Sequence, residues 1–258
     1  MRLTLRATAG TLAAAGLLVT LAAGTVSAVA PSPLPAEPPT DSARCVQPAQ
    51  GEGVDSVGNL RRFGDCEVDR RLALLDRLAS NLAGSTALTD THRAALAAEI
   101  TATTAGLTAL RSTIDHETDV DALRADVKRI ATDYRVYLLV APKARLVVVA
   151  DRLASGYDRF DTVEQRLADA IATAKAAGKD VATAQAAYDA MTASVDQAEG
   201  LLGPVAATIL PLTPADWNAG TAKPALDSAR STLRQVGRLF AGARADARTC
   251  ARALRALR

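Results

Sequence analysis

The sequence predicts an all-α protein, built as an elongated antiparallel bundle of about five to six long helices. Three observations support this prediction. Apolar residues recur at alternating steps of three and four along most of the chain, which is the spacing of a coiled-coil-like helical seam. Aromatic residues make up only 3% of the 258 residues, and alanine and leucine dominate. Because small seam residues bury little area each, such a core needs long helices rather than bulky side chains.

The first 28 residues have the pattern of a secretory signal peptide. Arg2 and Arg6 supply positive charge, an apolar core covers 12–23, and 26–28 form a small-residue cleavage site. No cysteine stands at this site, so we expect no lipid anchor there. We therefore expect a secreted or extracytoplasmic protein, with a retained membrane anchor as the alternative.

Residues 29–64 form the second predicted segment, a flexible lead-in. The part from 31 to 39, PSPLPAEPP, is typical of a stiff, extended linker. The part from 40 to 64 is polar and contains four glycines. The remaining chain, 65–258, is long enough to form a single helical-bundle domain with its own core.

The first three helices are predicted from their seams and caps. The first runs over about 65–82. Thr89 suits the N-cap of a second helix, 90 to about 115. The stretch 118–121 fits a capping box that starts a third helix. Whether 89–140 is one rod or two helices stays open from the sequence.

The most apolar stretch of the mature chain is 133–151, DYRVYLLVAPKARLVVVAD, which we interpret as a corner between two helices. Pro142, Lys143 and Arg145 interrupt it. Pro142 suits the first turn of a helix and is expected to bias Ala141 away from helical backbone. The rival interpretation is a β-hairpin, because β-branched and aromatic residues flank the turn. No membrane span is expected, since charges break the apolar run.

The fourth and fifth helices carry the longest regular seams. The fourth is predicted over 142–177 and is stopped by Gly178. The fifth follows a cap at Asp180, and Pro204 is expected to bend it.

A proline-punctuated connection follows at 211–224, PLTPADWNAGTAKP. We expect it to hold a short turn of helix that contains Trp217, the only tryptophan. The last helix is predicted from 224 to about 256.

Three blocks of the chain resemble a group of uncharacterised secreted helical proteins of high-GC, actinobacterial type: CEVDRRLALLDRL, LRADVKRIATDYRVYLLVAPKARLVVVADRL and AKAAGKDV. The resemblance covers about 66–258. It implies an exported, all-helical protein. The group has no assigned activity, so the resemblance carries no functional residue onto this chain.

Three cysteines allow one disulfide in an oxidising compartment. The local pair, Cys45 with Cys66, would tie the lead-in to the first helix, and it is the pairing that we expect. The alternative is Cys66 with Cys250, which requires an even number of alternating helices. No C-x-x-C pair or His/Cys cluster indicates a zinc site.

An acidic stretch, DHETDVD, surrounds His116 at 115–121. It indicates either a weak divalent-cation site or a helix junction whose carboxylates favour the next helix N-terminus. His92 lies roughly 36 Å away along the same predicted helix, so the two histidines cannot share a site. We favour the junction and expect neither a bound metal nor a cofactor.

Catalytic machinery is not expected in this chain. The sequence has no G-x-S-x-G elbow and no candidate triad. Its acidic residues are scattered at salt-bridge spacing with arginines. We therefore expect no enzymatic activity.

The last helix is the most distinctive charged feature. From Lys223 to Arg258 there are nine basic residues against two acidic ones, Asp227 and Asp246, a net charge of +7. After residue 28 the chain has 28 residues of each sign, so the rest of the mature chain carries a net charge of −7. At about 100° per residue, seven arginines fall on one face beside the apolar seam: Arg230, Arg234, Arg238, Arg244, Arg248, Arg252 and Arg255.

This arginine face has two interpretations. It is either a surface for anionic polymers or lipid headgroups of the cell envelope, or a solvated face partly paired with acidic neighbouring helices. Nucleic acid is not expected as a partner, because the protein is expected to be exported and has no aromatic residues interleaved with the basic ones.

These patterns predict an exported, non-enzymatic structural or interaction protein of the cell envelope or extracellular space. Its partner is an envelope protein, an anionic envelope component or a second copy. The alternative is a helical ligand- or metal-binding module with a site near 115–121 or 133–151. The sequence leaves the partner and the oligomeric state open.

Overall fold

A computed structural model describes Cys45 and residues 56–257 of the chain. The predicted signal peptide, 1–28, and most of the predicted lead-in lie outside the described residues. So does the proline-rich stretch 31–39.

Seven α-helices and one π-helical turn account for nearly all of the described residues, and no strand occurs among them. The π-helical turn covers Val136–Val140. The α-helices are α1 (Ser56–Ala83), α2 (Asp90–His116), α3 (Val120–Thr132), α4 (Ala141–Ala176), α5 (Ala182–Ile209), α6 (Pro214–Asn218) and α7 (Ala222–Ala256). The all-α prediction is confirmed, and α2 and α3 are two helices rather than one rod.

Polar side chains cap three of these helices. The Thr89 hydroxyl accepts a hydrogen bond from the His92 N–H at the start of α2. The Asp119 carboxylate accepts bonds from two N–H groups at the start of α3. Thr213 and Asp216 form a reciprocal capping box on α6, the short helix that was predicted around Trp217.

Helix α1 begins earlier than predicted, at Ser56 rather than 65. The end of the predicted flexible lead-in therefore belongs to the bundle. Val57 and Leu60 pack against the core, which extends the apolar seam in the N-terminal direction. A Cβ at Gly64 would lie 3.1 Å from Val127 and 3.3 Å from Ile114, so this glycine allows α1 to approach α2 and α3 closely.

The prediction of a corner at Pro142 was wrong in position. The chain turns at Asp133–Arg135, where Arg135 has a left-handed φ of 43°. Helical backbone then runs from Val136 through α4 without a break, and Ala141 is helical at φ −69° and ψ −44°. The Ala141 N–H donates to the Val136 carbonyl, the wider spacing of a π-helical turn. This widening precedes Pro142, whose ring would otherwise crowd a carbonyl of the preceding turn.

The later helices end and continue largely as the sequence predicts. Gly178, with φ 72°, follows the end of α4, and the Lys179 N–H donates to the Ala174 carbonyl. The Asp180 carboxylate accepts from the Ala182 N–H at the start of α5. Pro204 lies inside α5, which remains one helix up to Ile209.

The helices pack as two groups of three. In the first group α1 lies against both α2 and α3, and in the second α5 packs along α7 while α4 contacts both. Phe160 of α4 stacks on Phe240 of α7 within the second group, with ring centroids 5.4 Å apart. Helix α4 also contacts α1, so it belongs to the junction between the groups.

Cys45 and Cys66 form a disulfide, with their Cα atoms 5.8 Å apart. The bond ties Cys45 to α1. Cys250 carries a free thiol that is buried in the seam of α7.

None of the helices within residues 56–257 combines the length and apolarity that a membrane span requires.

Candidate functional site

The arginine face of α7 is the first candidate site. All seven of its arginines are exposed. The face runs from Arg230 to Arg255, which spans roughly 38 Å of a helix that rises 1.5 Å per residue. The structure therefore presents these side chains to solvent along most of α7.

The sequence of α7 produces this face because apolar and basic residues follow the same helical period, rotated relative to each other. The buried stripe packs on α4 and α5, and it comprises Leu226, Ala229, Leu233, Val236, Phe240, Ala243 and Cys250. The arginines lie beside this stripe on the outer surface. Core packing thus orients the helix and keeps the guanidinium groups in water.

Few of these arginines have a partner inside the protein. Within residues 56–257, only Arg230 of the face forms a salt bridge, at 2.7 Å from Asp227. The Arg252 guanidinium donates to the Thr249 hydroxyl at 3.1 Å, and Arg244 lies over the Phe160 ring at 5.9 Å. The second interpretation of this face was pairing with acidic neighbours. Among the described contacts, such pairing occurs for one arginine, Arg230.

The acidic stretch 115–121 is a helix junction in which most carboxylates have local partners. One Glu117 oxygen accepts from the Thr118 and Asp119 N–H groups, and Asp119 caps α3. Asp121 pairs with Arg124 at 2.7 Å. His116 Nδ1 lies 2.7 Å from the Ser112 carbonyl. In the part of the chain that the structure describes, no three metal-binding side chains converge on one point.

The stretch 133–151 contains two buried charges. Lys143 is 1% exposed and Asp151 5% exposed. The Lys143 ammonium lies 2.7 Å from Glu99 Oε1, and it donates to the Leu212 carbonyl at 2.7 Å and the Leu210 carbonyl at 3.3 Å. These three acceptors match its three N–H bonds.

Asp151 holds the start of α2. Its carboxylate accepts from the Thr89 N–H at 2.8 Å, and His92 Nδ1 lies 2.8 Å from the other oxygen. Lys143 and Asp151 thus connect α4 to α2 at two places. Neither residue was predicted to have a structural role, although a charge inside a highly apolar stretch is a signal for a buried pair.

An open cleft of about 300 Å³ lies next to Lys143. Glu99, Tyr134 and Thr213 are among its lining residues. Burial raises the pKa of the Glu99 carboxyl, and the Lys143 ammonium opposes that rise. Because the Lys143 hydrogens are all used inside the protein, the cleft offers a ligand a carboxylate and hydroxyls rather than a free cation.

The fold and the exposed charge define an all-α helical bundle with a basic surface on its last helix. No protein-family model matches this sequence, and no curated protein or solved structure is significantly similar to it. Function is therefore inferred from the residues themselves.

Proposed function

We propose that this chain is an exported, non-enzymatic interaction protein that binds an anionic component of the cell envelope through the arginine face of α7. The observation that carries the proposal is the exposure of seven arginines on one helix face, six of them outside any described salt bridge. The signal-peptide pattern of 1–28 and the resemblance to secreted actinobacterial helical proteins support export.

The chemistry of this face suits phosphate or carboxylate groups. Each guanidinium is charged at any physiological pH and can donate two parallel hydrogen bonds to one anionic group. Exposed arginines lose little solvation on binding, whereas buried charges would lose much more. A row of unpaired cations also raises the local concentration of polyanions by long-range attraction that salt weakens.

The alternative is a ligand-binding module that uses the cleft beside Lys143. The polar lining groups of the cleft favour it, and a cationic or hydrogen-bonding small molecule would suit Glu99 and Tyr134. Saturation of Lys143 by internal acceptors weakens this alternative relative to the arginine face.

The test is co-sedimentation of the purified protein with anionic vesicles and with isolated cell-wall polymer, at low and high salt. We expect binding at low salt that high salt reverses and that the variant Arg244→Glu/Arg248→Glu/Arg252→Glu loses.

The matched control is Arg62→Glu/Arg77→Glu/Arg124→Glu, which changes the net charge equally at exposed positions on α1 and α3. Circular dichroism checks that both variants remain folded. Absence of binding at low salt, or an equal loss in both variants, would overturn the proposal.

A further inference from the structure

A second row of arginines lies on α4, at Arg152, Arg159 and Arg166. The three residues are seven apart, so they fall on nearly the same side of the helix. All three are exposed, and none of them takes part in a salt bridge within residues 56–257. This α4 arginine row spans roughly 21 Å along the helix.

The packing of α4 determines which neighbour this row lies beside. Glu164 faces α5, since the Tyr188 hydroxyl of α5 donates to it at 3.3 Å, and Glu199 of α5 contributes to the raised pKa of Tyr157 on the same side of α4. Around the helix, Tyr157 and Glu164 lie roughly 40–60° to one side of Phe160, and the α4 arginine row lies roughly 80–120° to the other side. The row therefore flanks α7 rather than α5.

The rotation of α7 about its axis places its arginine face on the side of the α4–α7 pair where the α4 arginine row lies. Arg244 lies over the Phe160 ring of α4, so the edge of the face that contains Arg244 is next to α4. Cys250, six residues after Arg244, lies roughly 120° away around the helix, at the opposite edge of the buried stripe. The stacking of Phe160 on Phe240 places the middle of α4 beside the middle of α7. Arginines from both helices thus border one groove.

Helix α5 supplies acidic charge on another side of this group of helices, whereas Asp227 of α7 lies within the arginine face and pairs with Arg230. Helix α5 contains Asp189, Asp196 and Glu199 and no basic residue. A hydrogen bond to Glu199 raises the pKa of Tyr157 to about 12, and burial and the charges of Asp161 and Asp196 add to this rise. The α4–α5 side is therefore acidic, and the α4–α7 side is basic.

From this arrangement we infer that the groove between α4 and α7 binds an extended, linear anionic polymer, held between the α4 arginine row and the arginine face. The inference rests on the proposed function and extends it to residues on a second helix. Two roughly parallel rows of cations suit a chain with repeated negative charges that lies along the groove.

The surface chemistry favours a polymer over a membrane. Binding to a bilayer surface through a helix usually needs apolar side chains that enter the acyl region. Among residues 57–257, Leu138 is the one large hydrophobic side chain that is exposed, and it lies in the π-helical turn outside the two arginine rows. The groove offers charge without an apolar anchor.

The test uses fluorescently labelled inorganic polyphosphate as the linear polyanion and measures its dissociation constant by anisotropy over a range of salt. Three variants with equal charge change are compared: Arg152→Glu/Arg159→Glu/Arg166→Glu on α4, Arg244→Glu/Arg248→Glu/Arg252→Glu on α7, and the control Arg62→Glu/Arg77→Glu/Arg124→Glu. We expect the α4 and α7 variants each to weaken binding by about tenfold or more and to lessen its salt dependence, because each lost contact removes counterion release. The control is expected to keep nearly the affinity of the unmodified protein.

Each other outcome overturns the inference in a distinguishable way. Loss in the α7 variant alone leaves the proposed function standing and removes the role of α4. Equal loss in all three variants shows a net-charge effect and overturns both. Binding to phosphatidylglycerol vesicles but not to polyphosphate assigns the face to lipid. Salt-sensitive self-association that the α4 variant abolishes, measured by analytical ultracentrifugation, assigns the groove to the acidic side of a second copy.

Discussion

The ammonium group of Lys143 and the carboxylate of Glu99 lie 2.7 Å apart, and this pair joins α4 to α2 across the junction of the two helix groups. The same ammonium donates hydrogen bonds to the carbonyls of Leu210 and Leu212, which lie beyond the end of α5. One nearly inaccessible cation thus holds three segments that are distant in sequence. Its loss would leave three acceptors without their donor.

Lys143→Met is therefore expected to lower the free energy of unfolding by about 2–5 kcal/mol, since it leaves two carbonyls and a carboxylate partly buried without a partner. Urea unfolding followed by circular dichroism measures the change. Lys128→Met, at an exposed position of α3, is the control and is expected to change stability by less than about 0.5 kcal/mol. Equal effects of the two substitutions would contradict the role given to Lys143.

A close approach of α2 to the chain turn depends on Gly106. A Cβ at this position would lie 2.5 Å from a ring carbon of Tyr134 and 2.8 Å from its hydroxyl oxygen. Gly106→Ala is expected to destabilise the protein by about 1–3 kcal/mol through overpacking. The penalty should shrink in the Tyr134→Ala background, where the clashing ring is absent, and thermal unfolding of the four proteins measures the coupling.

Gly200→Ala is the matched comparison for this substitution. A Cβ at Gly200 meets nothing within 4 Å, and the residue lies inside α5. Replacement with alanine should stabilise the helix by about 0.5–1 kcal/mol. A loss of stability in Gly200→Ala would contradict the idea that free space around a glycine Cβ position predicts the effect of replacing that glycine with alanine.

Asp65 is expected to make the free energy of unfolding depend on pH. Burial raises the pKa of its carboxyl, and the neighbouring Asp115 carboxylate adds to the rise, while Arg111 lowers it. One Asp65 oxygen is buried without a hydrogen-bond partner. Because the folded state holds this proton more tightly than the unfolded state, the contribution of Asp65 to stability falls as pH rises from its ordinary pKa, about 3.9, through the raised value.

Asp65→Asn removes that titration. Relative to the unmodified protein, the variant should gain stability between about pH 3.5 and pH 7, because only the unmodified carboxyl loses its proton in this interval. Urea unfolding at both pH values measures the difference. Asp76→Asn, at an exposed position of α1, is the control, and the idea fails if the two variants behave alike.

The disulfide between Cys45 and Cys66 closes a loop with a sequence separation of 21 residues. Its removal in Cys45→Ala/Cys66→Ala is expected to lower stability by about 3 kcal/mol, chiefly because the unfolded chain gains freedom. Dithiothreitol should lower the unfolding midpoint of the unmodified protein and leave that of the double variant unchanged. An effect of the reductant on the double variant would show that the change does not come from this disulfide and would contradict the prediction.

Local sequence was sufficient for most helix positions because helical structure repeats over a few residues. The cap at Thr89, the stop at Gly178 and the short helix around Trp217 were all predicted from neighbouring residues and are present. The chain turns at Asp133–Arg135 rather than at Pro142, because a proline does not end a helix when the turn before it is widened. A π-helical turn can absorb a proline inside continuous helix, and that choice depends on how Val136–Val140 pack.

The sequence by itself determined the all-α class and the arginine face of α7, since both follow from the helical period along one continuous segment. Only the tertiary structure decided that Lys143 meets Glu99 and that the α4 arginine row lies beside α7 rather than α5. Those relationships depend on how each helix is rotated against its neighbours, which contacts such as Phe160 on Phe240 establish. A helical period gives the faces of one helix, but the partner of each face is chosen by packing between segments far apart in the chain.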